Sequence, residues 1–135
     1  MNAQGIPLLV ARLLIALMFI GAGISKFTGL DGAAGYIGSV GLPAPQLLAV
    51  AAGALELIAG VLLVIGWQAR WAALALAGFT LVASFIFHAY WNLPSAEQMM
   101  PMLLFTKNMA IIGGLLFVFA FGPGSISLDA RRAAA

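Results

Sequence analysis

Phe105 to Phe117 reads FTKNMAIIGGLLF, a run of helix length with Lys107 and Asn108 near its start and Gly113-Gly114 further in. It belongs to a chain of 135 residues that is 64% hydrophobic and only 7% charged, so a lysine followed by an amide is not ordinary surface. If this helix lies in lipid, its ammonium must either reach the interface or face a protein interior that holds a counter-charge or a polar ligand.

The rest of the chain says that the helix does lie in lipid. Soluble domains carry about a quarter charged residues and under half apolar ones. Here the mean hydropathy is +1.11 and the apolar residues fall into long runs. Runs of about 18 or more predict membrane spans rather than buried core helices. The length suits a single domain, 1–135, and any partner enzyme is expected to be a separate chain. A net charge of +2 spread over six Lys and Arg makes no nucleic-acid patch. The absence of cysteine removes dithiol chemistry, thiolate catalysis and Cys-ligated clusters, and a lone histidine removes bis-His haem within one subunit. Met99, Met100 and Met102 fit apolar packing better than soft-metal ligation, so no metal site is read.

Four spans are expected, at about 7–27, 46–67, 71–91 and 102–121. The first, PLLVARLLIALMFIGAGISKF, has no basic segment ahead of it and is interrupted by Arg12, so it reads as a retained helix rather than a signal peptide. Residues 28–45 are broken by glycine and proline and read as a loop with room for a short interfacial helix ahead of Gly41. Gly122-Pro123-Gly124 stops the last span. The fold class is therefore all-α, an integral membrane four-helix bundle. Arg12, Arg70, Arg131 and Arg132 group at the ends and the middle turn, which by the positive-inside tendency predicts both termini cytoplasmic.

The polar residues inside the spans are the candidate site. At about 1.5 Å per residue, Lys26, His88 and Lys107 lie within one or two turns of the outer surface, and Glu56 lies near mid-membrane. An acid there does not snorkel, so Glu56 belongs to an interior polar network. Arg12 is its first expected partner in a structural ion pair, with Lys107 and Lys26 as the alternatives. Lys26 also suits an interface anchor, and His88 and Trp91 suit an aromatic belt. The glycines at 21, 23, 53, 60, 113 and 114 read as close-packing positions.

Taken in order, Arg12-Leu13, FIGAGISKF at 19–27, VGLPAP at 40–45, GALELIAGVLLVIG at 53–66, FHAYW at 87–91, FTKNMAIIGGLLF and GPGSISLD at 122–129 resemble the DoxX family of small four-helix bacterial membrane proteins. The resemblance covers nearly the whole chain, and Ser127 and Asp129 in the tail match it too. It implies an inner-membrane location and a role as the membrane subunit of an oxidoreductase, by analogy with a thiosulfate:quinone oxidoreductase subunit. On that expectation Lys107, Asn108, Lys26 and Trp91 bind a quinone or small oxyanion in an outer-side cavity, and Glu56 and His88 handle protons. The cofactor is then a quinone, with none intrinsic to the chain, and the partners are the lipid bilayer, a separate redox enzyme subunit and a second copy in a homodimer. Two other classes stay open: a non-redox binding or transport protein for a small amphipathic molecule, and a structural assembly subunit.

Overall fold

The computed structural model describes residues 5–135. It consists of helices α1 (Gly5–Thr28), α2 (Leu30–Ser39), α3 (Pro45–Ile65), α4 (Ala69–Phe87), α5 (Met99–Phe121) and α6 (Leu128–Ala133), with two single 3₁₀ turns between α4 and α5. Four helices are long and apolar enough to cross a bilayer. They form an antiparallel bundle in which α1 lies along α3, α5 lies along α4, and α3 and α4 join the two pairs.

The α1–α3 pair is close because glycine faces backbone across it. A Cβ on Gly23 would stand 2.9 Å from the Gly53 carbonyl oxygen, and one on Gly60 would stand 3.4 Å from that of Ala16. Lipid tails are as apolar as leucine, so in a bilayer such van der Waals contact, rather than expulsion of water, holds helices together. Gly114 of α5 instead makes room for the Ile15 side chain of α1, whereas a Cβ on Gly21 or Gly113 would meet nothing within 4 Å, so these two are not packing positions.

The first long connection is more ordered than a loop. Residues 30–39 form α2, which turns Ala34 and Ile37 inward against Ala49 and ends before Gly41, whose φ of 80° suits only glycine without strain. Pro45 starts α3, where a missing N–H costs nothing. The third span stops as helix at Phe87, four residues short of the expected end, because residues 90–92 tighten into a 3₁₀ turn. The fourth begins at Met99, with Pro101 tolerated in its first turn. Gly5 abuts Ser125 and Ile126, so the start and the end of the described chain share one face. We call this the terminal face and the other the loop face.

Candidate functional site

Antiparallel packing decides which charges can meet. Lys26, on the last turn of α1, stands beside Gly53, and Glu56 follows one turn further into the membrane on the same side of α3. Lys26 Nζ donates to Glu56 Oε2 at 2.7 Å, the one ion pair among the described residues. The expected Arg12–Glu56 pair does not form. Arg12 is level with Val64 and Gly66, about 15 Å further along α3 than Glu56 at 1.5 Å per residue, beyond the reach of its side chain.

The pair faces a cavity of about 390 Å³ in the loop half of the bundle, walled by α1, α2, α3, α4 and α5. Lys107 and Asn108 of α5 line it from the opposite side, and Phe19, Phe79 and Phe87 supply apolar wall. Asn108 is held by its side chain: Nδ2 donates to Ser84 Oγ at 2.9 Å, and Ser84 in turn donates to the Thr80 carbonyl at 2.6 Å. Thr80 also lines the cavity, and although the residue is only 5% exposed its hydroxyl has no hydrogen-bond partner. A buried hydroxyl left unpaired costs about 1–3 kcal/mol, which a ligand with a suitable donor or acceptor recovers. Tyr36 of α2 closes the loop side, its ring stacked on Phe87 at 5.0 Å.

Four of the expected site residues, Lys26, Glu56, Lys107 and Asn108, thus share one cavity. Two do not line it. His88 caps the end of α4, its N–H bonded to the Ser84 carbonyl, and it is near enough to Lys107 to feel that charge. Trp91 packs with Phe85, Tyr90 and Phe105 in an aromatic cluster on the loop face. The 3₁₀ turn carries Trp91 away from the line that a continuous helix would have followed. Sequence reading passed over Thr80 and Ser84. Their signal was present, since they are the only two hydroxyls in the 69–87 helix and stand four residues apart on one side of it.

Arg12 belongs to a second polar cluster, at the terminal face. It is 1% exposed and donates to three main-chain carbonyls: Pro123, Val64 at 3.3 Å and Ile126 at 2.9 Å. Those bonds pin the 123–126 segment under the bundle. Ser127 caps α6 by accepting from the Ala130 N–H at 3.2 Å. The Asp129 carboxylate accepts from the N–H groups of Gln68 and Ala69 at 2.9 and 3.0 Å, which places an anion at the start of α4 and satisfies two donors that the helix cannot. Asp129 also donates its own N–H to Gly66.

Comparison with known proteins agrees with this architecture. Residues 7–89 match the DoxX family model. The chain is 38% identical to the inner membrane protein YphA of Escherichia coli (strain K12), over 96% of this chain and 92% of that protein. It is 36% identical to YqjF, another inner membrane protein of the same organism, over 93% and 92%. An uncharacterized membrane protein of Mycobacterium tuberculosis, Rv3486, is 27% identical over 97% of this chain and 85% of its own length. No solved structure matches the chain. Four spans, together with inner-membrane relatives aligned along almost the whole sequence, make this a multi-pass inner-membrane protein, and the chain belongs to the DoxX family.

Proposed function

We propose that the protein is the quinone-binding membrane subunit of an oxidoreductase, with the loop-half cavity as its site. The observation that carries the reading is the Lys26–Glu56 pair, whose carboxylate is 6% exposed and borders the same space as Lys107, Asn108 and the unpaired Thr80 hydroxyl. A quinone carbonyl accepts hydrogen bonds, and the charge that grows on its oxygen during reduction is stabilised by an ammonium and an amide N–H. Its ring suits the phenylalanine walls, and a cavity of about 390 Å³ is within the usual range for small-molecule sites. Reduction to the quinol takes two electrons and two protons. The electrons come from a separate redox enzyme, and the Lys26–Glu56 pair passes protons to the oxygen.

One observation favours a second reading, in which an amphipathic molecule is bound or moved without redox change. An apolar groove of about 270 Å³, between α2, α3 and α4, adjoins the cavity and shares Ile37, Ala52 and Phe87 with it. Such a groove takes an acyl or isoprenoid chain equally well.

Native mass spectrometry of protein purified in mild detergent, with decyl-ubiquinone added, tests both. The first reading expects a one-to-one quinone adduct that falls at least tenfold in Lys107→Ala and Glu56→Gln. A non-quinone amphiphile that behaves this way transfers the site to the second reading, and bare protein throughout removes both.

A further inference from the structure

The two polar ends differ in what they leave unspent, and the terminal face leaves positive charge. We propose that this face carries a separate binding site for an anionic phospholipid, with Arg131 gripping the phosphate beside Arg12. A pocket of about 430 Å³ opens between the first turns of α1, the end of α3 and the segment running into α6. Arg131 and Arg12 both line it, and neither makes an ion pair among the described residues.

Arg12 spends three hydrogen bonds on carbonyls, and its Nε–H, fully buried, meets no acceptor. The one carboxylate near enough to act on it is Asp129, both of whose oxygens are already committed to the N–H groups at the start of α4. Two guanidinium groups thus line the pocket, and the carboxylate nearest Arg12 is turned elsewhere. An anion in the pocket restores the balance, bonding Arg131, whose fork matches phosphate oxygens, and lying in the field of Arg12.

The remaining wall says which kind of phosphate. Leu9, Ile65 and Leu128 line the same pocket. Leu9 is one turn into the first span, and Ile65 is the last residue of the second, so the pocket lies where span gives way to headgroup. A lipid phosphate at Arg131 with a chain laid along these residues fills both halves of the lining, whereas free phosphate fills only one. Basic pockets at the ends of membrane helices hold anionic headgroups by this combination. The site lies at the opposite face from the Lys26–Glu56 cavity and does not depend on it.

The test is competition in native mass spectrometry. Wild-type protein in detergent is offered equal amounts of short-chain phosphatidylglycerol and phosphatidylcholine, and then phosphatidylglycerol with a tenfold excess of inorganic phosphate. The expected result is a several-fold preference for phosphatidylglycerol that falls to parity in Arg131→Ala and is kept in Arg131→Lys. It is also kept in Arg132→Ala, whose side chain does not line the pocket, and in Lys107→Ala at the other face. An unfolding midpoint for each variant distinguishes loss of the site from loss of α6. Parity in the wild type, or equal losses in Arg131→Ala and Arg132→Ala, overturns the proposal. Displacement by inorganic phosphate reassigns the pocket to a free anion and overturns the lipid.

Discussion

The bundle holds a cation at each end, and the two are treated oppositely. Arg12 is surrounded: three carbonyls of the chain accept from it, and the segment it binds is fixed in turn by Ser127 and Asp129. Lys26 is paired with one carboxylate and its side chain stays 26% exposed, beside an amide, a second lysine and an idle hydroxyl that line one cavity. The difference separates a clasp from a receptacle. The Arg12 end spends most of its hydrogen bonds within the protein and keeps one N–H over, whereas the Lys26 end turns an ammonium, an amide and an unpaired hydroxyl toward one cavity.

That contrast fails or sharpens under substitution. The largest effect is expected from Arg12→Ala, which strands three carbonyls and opens a hole the size of a guanidinium, with a loss of about 3–5 kcal/mol in detergent unfolding. A loss below about 1 kcal/mol would show that the terminal end is no clasp. Glu56→Gln removes one partner of a buried pair, but Lys26 is at a helix end and can turn outward, so about 1–3 kcal/mol is expected together with loss of ligand. Asp129→Asn keeps an acceptor for Gln68 or Ala69 but discards the charge. Its expected cost is about 1 kcal/mol, seen as faster proteolysis at the 66–69 turn, with ligand retention at the far end unchanged.

Thr80→Val is the smallest in stability and the most discriminating. The swap is nearly isosteric and removes a hydroxyl without a partner, so the unfolding free energy should stay level or rise by up to about 1 kcal/mol while ligand retention falls. A residue that only supports the fold cannot give that pair of results. Destabilisation by Thr80→Val would mean that the hydroxyl is satisfied within the protein.

Much of this was legible in the sequence, for physical reasons that also mark where legibility ended. Four apolar runs and the Gly122-Pro123-Gly124 stop announce the helices, since length and turn chemistry are local properties. Glu56 and Lys107 stood out because charge is costly in lipid wherever it lies. That Lys26, Glu56 and Lys107 share one half of the bundle was legible too, but partnership was not. Whether Glu56 meets Lys26 or Arg12 depends on how α1 slides along α3, and that register is set by Gly23 against Gly53, a contact between residues thirty positions apart. Trp91 was misplaced for the opposite reason, because the helix was extended through FHAYW when the backbone tightens at Tyr90. Thr80 and Ser84 were hidden by their ordinariness; a hydroxyl in an apolar helix becomes informative only once its missing partner is seen.

The Asp129 clasp has a consequence for how the protein is made. The first N–H groups of α4 wait for a carboxylate that lies 60 residues downstream, and Arg12 waits still longer for the carbonyls of Pro123 and Ile126. Both acceptors lie beyond Phe121, the last residue of the fourth span, so the clasp closes only when the whole bundle has been made. Until then Arg12 has only the Val64 carbonyl of its three acceptors, and a chain cut short before Pro123 never gains the other two. Synthesis that stalls thus leaves the terminal face open, while a chain that runs on through Asp129 closes it.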